Sequence, residues 1–468
     1  MRKGGQVSQY EAASTNEQAS PVNRRSEEKP ATVSARIKRA RTKPDGDARS
    51  RWEWVEPSVW TNRMLTALEN GVRGGKWHSL IDTVYDRSNL LAAYARVAAN
   101  GGAPGVDHVT AEAFGERRDE NLNHLREALR EGVYRPQATR RTYIPKPGSR
   151  EKRPLGIPTV RDRVAQTALK NVLEPIFERD FAEHSYGFRP GRGCKDALRR
   201  VDQLLKAGYE HVVDADLKSY FDTIAHDRLM DLMGEKISDT RVLKLIASYL
   251  KQGILDELTY WEPEAGSPQG AVISPLLSNV YLDGLDRLMA DRGFEMVRYA
   301  DDFVVLCRDK ETAEAALALI ERWVQEAELT LHPEKTCIVR HEEGFDFLGY
   351  HFEPGRRRPR AKSLRKFKDT IRAKTKRTNG HSLADIIRAV NTTLRGWYAY
   401  FKHSRYWVFK QLDGWIRMRL RSILRKRSGR SGPGRGHDHK RWPNAFFARH
   451  GLFSLRAAYE HDRQSSLR

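Results

Sequence analysis

The sequence lacks the features that define several common protein classes. Its three cysteines, Cys194, Cys307 and Cys337, are too widely spaced to form a disulfide framework or a zinc-ligand pattern. It has no run of about 18 apolar residues, which a membrane span requires, and no apolar core of a signal peptide near its N-terminus. These absences predict a protein of a reducing, cytoplasmic compartment that does not span a membrane.

Acidic residues are scarce relative to basic ones. The 468-residue chain has 83 Lys and Arg against 61 Asp and Glu, a formal net charge of +22. Nucleic acid is the commonest partner of so basic a chain, followed by an anionic membrane surface. A basic protein without a polyanionic partner stays as the alternative at this point.

The pattern of apolar residues changes along the chain. Residues 1–50 contain one aromatic residue, Tyr10, and too little apolar surface to fold alone, which predicts a disordered basic arm. Helical periodicity predicts helices over 162–181 and 272–293. A strand is predicted over 211–217, "HVVDADL", and a hairpin is predicted from "MVRYA" and "FVVLC". After residue 360 the pattern is helical and very basic.

Two adjacent aspartates, Asp301 and Asp302, interrupt the apolar stretch "VRYADDFVVL" (297–306). Aspartate is a poor strand residue but is tolerated in a turn, so an ordinary hairpin turn is the simplest explanation. The predicted strand at 211–217 also contains carboxylates, Asp214 and Asp216. Two strands that bring carboxylates out of one hydrophobic sheet suggest a shared cation such as Mg²⁺, and a pair of such ions is the chemistry of a polymerase.

Several motifs occur in the order found in bacterial group II intron-encoded proteins, which are reverse transcriptases with maturase function. The chain resembles this family from about residue 76 to 460, through the motifs "GGAPGVD" (101–107), "KPGSREKRPLGIPTVRDRVAQTAL" (146–169), "EPIFERDFAEHSYGFRPGRG" (174–193), "DADLKSYFDTI" (214–224), "AGSPQGAVISPLLSNVYLDGLD" (265–286), "RYADDF" (298–303), "LTLHPEKT" (329–336) and "FDFLGY" (345–350). Each motif alone is weak evidence, whereas the ordered set is specific.

The resemblance implies an α+β right-hand polymerase, with fingers and an antiparallel palm sheet followed by an all-helical basic thumb, the maturase or X domain. It implies Asp216, Asp301 and Asp302 as catalytic and metal-binding residues, with two Mg²⁺ ions that Mn²⁺ could replace. Periodicity alone does not choose between Asp214 and Asp216; the family register favours Asp216 and leaves Asp214 a structural role.

The resemblance also implies residues that bind the incoming nucleotide. Lys146 and Arg153 match finger residues that hold the triphosphate, and Arg suits phosphate because its planar fork matches the oxygens. Phe221 matches the aromatic gate that excludes a 2′-hydroxyl, although Tyr220 or Phe221 could equally serve as a core aromatic. Gln269 matches a residue under the nucleotide, and Lys335 a possible proton donor to pyrophosphate, with a solvated surface lysine as its alternative. "FLGY" (347–350) resembles the grip on the primer end.

Residues 356–377 contain 12 Lys or Arg and a single acid, Asp369. The family likeness assigns this segment to the thumb, which would clamp a template–primer duplex and hold intron RNA through its backbone. The residues predicted to bind nucleic acid are Arg356, Arg357, Arg358, Arg360, Lys362, Arg365 and Lys366.

The expected organisation is a basic arm (1–50), an N-terminal extension (51–100), reverse transcriptase fingers and palm (101–355), a thumb (356–428), a linker (429–440) and a short DNA-binding-like region (441–468). The histidines of "GHDHK" (436–440) have no cysteine partners and are assigned to the linker. An endonuclease domain with paired Cys and His ligands is not expected.

The predicted function is RNA-directed DNA synthesis for a group II intron, with assistance to splicing and mobility. Its expected partners are intron RNA, a template–primer duplex, target DNA and deoxynucleotides, with no membrane partner, in a monomer or a homodimer. The expected location is the bacterial cytoplasm. Two alternatives stay open: a domesticated reverse transcriptase of phage defence or DNA repair, and an RNA-binding maturase without polymerase activity.

Overall fold

The computed structural model describes residues 52–72, 74–145, 152–257, 259–430, 432–434 and 436–465. The expected N-terminal arm and Lys146 lie outside these ranges. Within them, no helix has both the length and the apolar character that a bilayer crossing requires.

Short capped helices form the N-terminal part of the described chain. They are α1 (Asn62–Asn70), α2 (Ile81–Val84), α3 (Arg87–Asn100), α4 (Ala111–Glu116) and α5 (Arg118–Glu131). Side-chain oxygens of Thr61, Asp86 and Thr110 accept hydrogen bonds from the first turns of α1, α3 and α4, which fixes where these helices begin. Their apolar faces pack around the long helix α6 (Val160–Glu178), which confirms the helix predicted over 162–181.

A small mixed sheet precedes and flanks α6. Its strands are β1 (Thr139–Pro145), β2 (Lys152–Ile157), β4 (Ile254–Asp256) and β5 (Thr259–Trp261), in the order β2-β1-β4-β5. The β1–β4 pair is parallel, and the other two pairs are antiparallel. Arg153, one of the two predicted finger residues, lies on β2 of this sheet.

A second, fully antiparallel sheet lies at the centre of the described chain. Its strands are β3 (His211–Asp216), β6 (Glu295–Tyr299), β7 (Asp302–Cys307) and β8 (Cys337–Arg340), in the order β6-β7-β3-β8. The predicted strand at 211–217 and the predicted hairpin are thus confirmed. Neighbouring residues of the strands contribute to different apolar clusters, as expected for a sheet with two buried faces. One cluster contains Val213, Phe303 and Val305, and the other contains Val212, Val304 and Leu306.

Helices cover one face of this central sheet. They include α9 (His226–Lys236), α10 (Thr240–Leu250), α11 (Ser274–Asp291) and α12 (Lys310–Glu326), with the single turn α8 (Tyr220–Thr223) after β3. Helix α11 confirms the helix predicted over 272–293, and Gly293 follows it with φ of 75°. Helix α7 (Cys194–Lys206) packs on the other face together with a three-stranded sheet. That sheet has the order β11-β10-β9 and comprises β9 (Phe345–Phe347), β10 (Tyr350–Glu353) and β11 (Arg356–Pro359).

The described residues after Pro359 form helices around their own apolar core. They are α13 (Ala361–Lys374), α14 (Leu383–Phe401), α15 (Tyr406–Arg427), α16 (Asp438–Arg441), α17 (Asn444–Arg449) and α18 (Leu455–Ser465). Phe447 and Leu455 are fully buried in the same core as α14 and α15, so residues 441–465 pack on the helical bundle. Part of the expected linker, 429–440, is helical, and Asp438 there pairs with Arg425 at 2.8 Å.

The α+β prediction is confirmed in its mixed helices and antiparallel sheets. Antiparallel pairing is not universal, because the β1–β4 pair is parallel.

Candidate active site

The two adjacent aspartates lie at the tip of the β6–β7 hairpin. Tyr299 pairs directly with Asp302, so Ala300 and Asp301 form the two-residue turn between the strands. Ala300 has φ of 60°, a left-handed conformation that is uncommon for a residue other than glycine. The chain therefore places one aspartate in the turn and the other at the first position of the next strand.

Strand register brings a third aspartate to this turn. Asp216, the last residue of β3, pairs directly with Asp302 in β7. Side chains at opposed positions of an antiparallel pair project from the same face about 5 Å apart, so these two carboxylates are neighbours. The structure thus brings together the three predicted catalytic residues. It also leaves Asp214, two residues before Asp216, on the same face of β3.

Burial and mutual repulsion make this carboxylate cluster costly to ionise. Burial is the main cause that raises the pKa of Asp302 to about 6, and the charges of Asp301 and Asp216 add to it. Burial also raises the pKa of Asp301, with a further contribution from Asp216. The pKa of Asp214 rises to about 7 through burial and repulsion by Asp302 and Asp216. A cation at this site would remove that repulsion.

A lysine ammonium lies beside one of these carboxylates. Lys335 Nζ lies 2.6 Å from Asp216 Oδ2, and both side chains are largely exposed. The segment that holds this lysine is attached to β3, because His332 N donates to Asp216 O at 2.7 Å. The predicted proton donor to pyrophosphate is therefore within the carboxylate cluster rather than on a remote surface.

The donor set fits a metal that is shared with substrate. No group of three or more His, Cys, Asp or Glu in the described ranges is arranged to enclose an ion by protein ligands alone. Mg²⁺ commonly takes one or two protein carboxylates and completes its octahedron with substrate phosphates and water. Two opposed carboxylates and a third in the adjacent turn suit that mode of binding.

The aromatic pair after β3 divides between core and site. Tyr220 is 2% exposed, and its hydroxyl donates to Ser278 O at 2.8 Å. Phe221 is half-buried and lines a cavity of about 190 Å³ beside Gly266 and Pro268. Of the two candidates, Tyr220 is the core aromatic, and Phe221 is the one that faces open space.

The "SPQG" turn joins this cavity to the finger strands. Ser267 N donates to Phe221 O at 2.7 Å, and Gly156 N donates to Gln269 O at 2.7 Å. Gly270 has φ of 105°, and a Cβ there would lie 2.5 Å from Gly156 O, so the turn needs glycine. Gln269 is consequently held between β2 and the segment that contains Phe221.

One of the two predicted finger residues is described. Arg153 is exposed on β2, and its positive charge lowers the pKa of Asp301, so it is within electrostatic reach of the hairpin turn. Lys146 lies outside the described residues. The structure thus brings Arg153 to the carboxylates and does not test Lys146.

The "FLGY" segment forms a second tight turn beside the carboxylates. Phe347 pairs with Tyr350, and the intervening Leu348 and Gly349 have φ of 45° and 83°. A backbone hydrogen bond from Leu348 lowers the pKa of Asp302, which places this turn against the catalytic hairpin. Tyr400 of α14 donates to Leu348 O at 2.7 Å, so the helical bundle contacts the turn as well.

The predicted nucleic-acid-binding residues differ in their surroundings. Arg356 and Arg358 in β11 both pair with Glu353, and Arg357 pairs with Asp202 at 2.7 Å. The charge of Arg360 lowers the pKa of Asp302 and Asp214, so this guanidinium lies towards the carboxylate cluster. The exposed residues of the set that form no ion pair within the described chain are Lys362, Arg365 and Lys366.

Sequence reasoning missed a buried arginine next to the hairpin turn. Arg298 is 0% exposed and donates from Nη1 to Ala300 O at 2.9 Å. A charged residue inside the apolar strand "MVRYA" was the signal that could have revealed it, because a buried arginine needs partners.

Comparison with known proteins identifies the family of this site. Residues 144–352 match the reverse transcriptase (RNA-dependent DNA polymerase) family, and residues 364–442 match the group II intron maturase-specific domain. The chain is 36% identical over 341 residues to protein YkfC of Escherichia coli, which covers 64% of this chain and 85% of that protein. It is 40% identical over 199 residues to the group II intron-encoded protein LtrA of Lactococcus lactis subsp. cremoris. The chain belongs to the group II intron-encoded reverse transcriptases.

The match with other relatives covers a smaller share of their length. The LtrA match covers 42% of this chain and 33% of LtrA. An uncharacterised 91 kDa protein in the cob intron of Schizosaccharomyces pombe is 36% identical over 209 residues, which cover 44% of this chain and 25% of that protein. The family assignment confirms the expected enzyme class, an RNA-directed DNA polymerase with a maturase domain. Divalent metal use is general in this class, and the maturase domain implies intron RNA as a partner.

Proposed function

We propose that the site at the β6–β7 hairpin performs RNA-templated DNA synthesis for a group II intron. The observation that supports this most directly is the register that opposes Asp216 to Asp302 and leaves Asp301 in the adjoining turn. In this proposal a primer 3′-hydroxyl attacks the α-phosphate of a deoxynucleotide, and pyrophosphate leaves.

Asp216, Asp301 and Asp302 are the proposed ligands of two Mg²⁺ ions. When bound, such ions supply activation of the attacking hydroxyl and charge neutralisation on the phosphates. The carboxylates themselves fix the position of the reacting groups, which matters because phosphoryl transfer depends on positioning and electrostatics rather than on covalent catalysis. Mn²⁺ has the same preference for oxygen ligands and is the proposed substitute.

The remaining residues of the site each contact a different part of the nucleotide. Arg153 binds the triphosphate, and Lys146 is proposed for the same role from the family resemblance. Phe221 borders the cavity in which a 2′-hydroxyl would have to fit, and Gln269 lies under the nucleotide. Lys335 leaves its ion pair with Asp216, binds the departing pyrophosphate and donates a proton to it.

The arrangement corresponds to a right-hand polymerase. The β2-β1-β4-β5 sheet serves as fingers, the central sheet as palm, and the helices after residue 360 as thumb. Lys362, Arg365 and Lys366 on α13 have no acidic partner in the described chain, so they are free to contact a phosphate backbone. Intron RNA, a template–primer duplex and target DNA are the proposed occupants of this basic surface. A bacterial cytoplasmic location stays a prediction.

Primer extension on an RNA template tests the proposal. Purified protein with Mg²⁺ should extend a DNA primer with deoxynucleotides and should stop when the metal is chelated. Asp216→Asn should lower kcat by at least about 1,000-fold, since an amide cannot supply the anionic ligand. Asp231→Asn, which changes an exposed carboxylate on α9, is the matched control and should keep wild-type kcat. Extension by the Asp216→Asn variant at the wild-type rate would show that the site is assigned wrongly.

A further inference from the structure

Arg298 in β6 is a charged residue with no solvent contact. Its side chain and that of its partner Asp286 are 0% and 5% exposed. Removing two charges from water costs several kcal/mol per ion even after the protein relaxes, and an apolar pair of similar volume is often no less stable. Stability alone therefore gives little reason for an ion pair at this position.

The contacts of the guanidinium connect helix α11 to the hairpin turn. Arg298 Nε donates to Asp286 Oδ1 at 2.7 Å, and Nη2 donates to the other oxygen of that carboxylate. Nη1 donates to Asn279 Oδ1 at 3.1 Å and to Ala300 O at 2.9 Å. Asp286 and Asn279 both belong to α11, so one planar group ties this helix to the hairpin turn.

The turn that receives this bond is strained. Ala300 has φ of 60°, and a residue other than glycine keeps this unfavourable conformation only when its surroundings impose it. The backbone of Gly187 packs closely against the turn, because a Cβ at Gly187 would lie 2.1 Å from Ala300 N. Asn279 Nδ2 in turn donates to Gly187 O at 2.9 Å. The guanidinium and the glycine backbone together impose the conformation of the residue before Asp301.

The helix that holds the arginine also leads to the nucleotide side of the site. Helix α11 begins at Ser274, and Ser274 Oγ donates to Pro268 O at 2.9 Å, next to Gln269. The same rigid element thus fixes the "SPQG" turn and, through Arg298, the hairpin turn.

We propose that Arg298 is a positioning residue that holds the Ala300–Asp301 turn in the geometry needed for metal binding and nucleotide transfer. Asp286 and Asn279 orient its guanidinium for this task. The inference rests on the proposed function of the site, because it assigns Arg298 a part in that reaction.

Two variants separate this role from simple stabilisation. In Arg298→Met with Asp286→Leu, the buried pair becomes apolar, so folding should be kept while the bond to Ala300 O is lost. In Arg298→Lys, the charge beside Asp286 is kept, but one ammonium cannot reproduce the planar fork that reaches Asp286 and Ala300 together. Should the double variant fail to fold, the lysine variant still tests the inference.

The control is a second ion pair on the same strand. Arg200 Nη2 lies 2.5 Å from Glu295 Oε2, at the opposite end of β6 from the turn. Arg200→Met with Glu295→Leu makes the same chemical change without touching the hairpin turn, and it should keep kcat within about threefold of wild type.

Four quantities are measured on the full chain: Tm, Kd for a template–primer duplex, kcat for single-nucleotide extension, and Mn²⁺ binding from the loss of its free-ion electron paramagnetic resonance signal. A displacement of about 1 Å can cost 100-fold in rate, so the double variant should lose about 100-fold in kcat and bind Mn²⁺ more weakly, with Tm and Kd close to wild type. Arg298→Lys should lose about tenfold in kcat or more.

The inference is overturned when folded Arg298→Lys or the folded double variant matches wild type in kcat and Mn²⁺ binding. It is also overturned when the Arg200 control loses as much activity as the Arg298 variants. Failure of the wild-type protein to extend any primer is a different result, because it refutes the proposed function and not the structural role of the arginine.

Discussion

The central sheet and the helical bundle after residue 360 use charge in opposite ways. Near the hairpin turn of the sheet, charged groups meet specific partners: the buried Arg298 bonds to Asp286, and Asp216 is opposed to Asp302. On α13 the basic side chains Lys362, Arg365 and Lys366 are exposed and have no acidic partner in the described chain. The first arrangement suits chemistry that depends on geometry, and the second suits adhesion to a polyanion that depends on total charge.

The comparison implies that substitutions in the sheet should change the reaction, whereas substitutions on α13 should change affinity. Among variants that keep the carboxylate cluster and Arg298, the largest expected effect is on sugar discrimination. Phe221→Ala should admit ribonucleotides, because the lost ring enlarges the cavity beside Gly266 and Pro268. The preference for dGTP over rGTP in single-nucleotide extension should fall by about 10–100-fold, as expected for a steric loss of about 1–3 kcal/mol.

Tyr220→Phe provides the matched control for this variant. It removes only the hydroxyl that bonds to Ser278 O inside the core, so stability should fall while discrimination is unchanged. A Phe221→Ala enzyme that still rejects rGTP as wild type does would return Phe221 to a packing role.

A smaller effect is expected from the basic surface of α13. Replacing Lys362, Arg365 and Lys366 with Ala should weaken RNA binding for all sequences alike and leave kcat unchanged. Each lost phosphate contact should reduce the slope of log affinity against log salt by roughly 0.7–0.9. Affinity measured across a salt series gives the slope directly.

The neighbouring strand β11 supplies the control for that experiment. Arg356 and Arg358 already pair with Glu353, so their replacement by Ala should change the salt slope less than the α13 substitutions do. Equal slopes for the two sets would mean that the ion pairs of β11 open on binding, and the contrast between the regions would weaken.

The smallest effect concerns pH. In the folded protein the pKa of Asp302 is about 6 and that of Asp214 about 7, both above their usual values in an unfolded chain. The unfolded state therefore releases these protons first, and stability should fall as pH rises from about 4 to about 7. With metal chelated, Tm of wild type should decline through this window more steeply than Tm of Asp214→Asn with Asp302→Asn. Parallel curves would show that the carboxylate repulsion has no cost.

The sequence predicted the strands β3, β6 and β7 well because their signals are local. Apolar residues mark β3, β6 and β7, and the aspartates that interrupt them mark the ends where the site lies. Periodicity could not separate Asp214 from Asp216, and the structure shows why: residues two apart in a strand share a face. The family register was needed to favour Asp216.

Other features depend on contacts between distant parts of the chain. The run of arginines at 356–358 predicted nucleic-acid contacts, but pairing with Glu353 and Asp202 arises only when β10, β11 and α7 meet. Arg298 bonds to Asp286 twelve residues earlier, and Gly187 on a third segment lies against Ala300. No local pattern encodes these contacts. The sequence thus predicted which segments are charged, but it could not predict which charged residues form ion pairs.

One measurement tests the division between the two regions most directly. Asp301→Asn with Asp302→Asn should be compared with wild type, in the same preparation, for primer extension on RNA and for RNA affinity. The account predicts that extension with Mg²⁺ is lost to below about one-thousandth of wild type, since the metal ligands are gone, while Kd for RNA changes less than about twofold. Extension that persists in the double variant, or RNA binding that disappears together with it, would contradict the account.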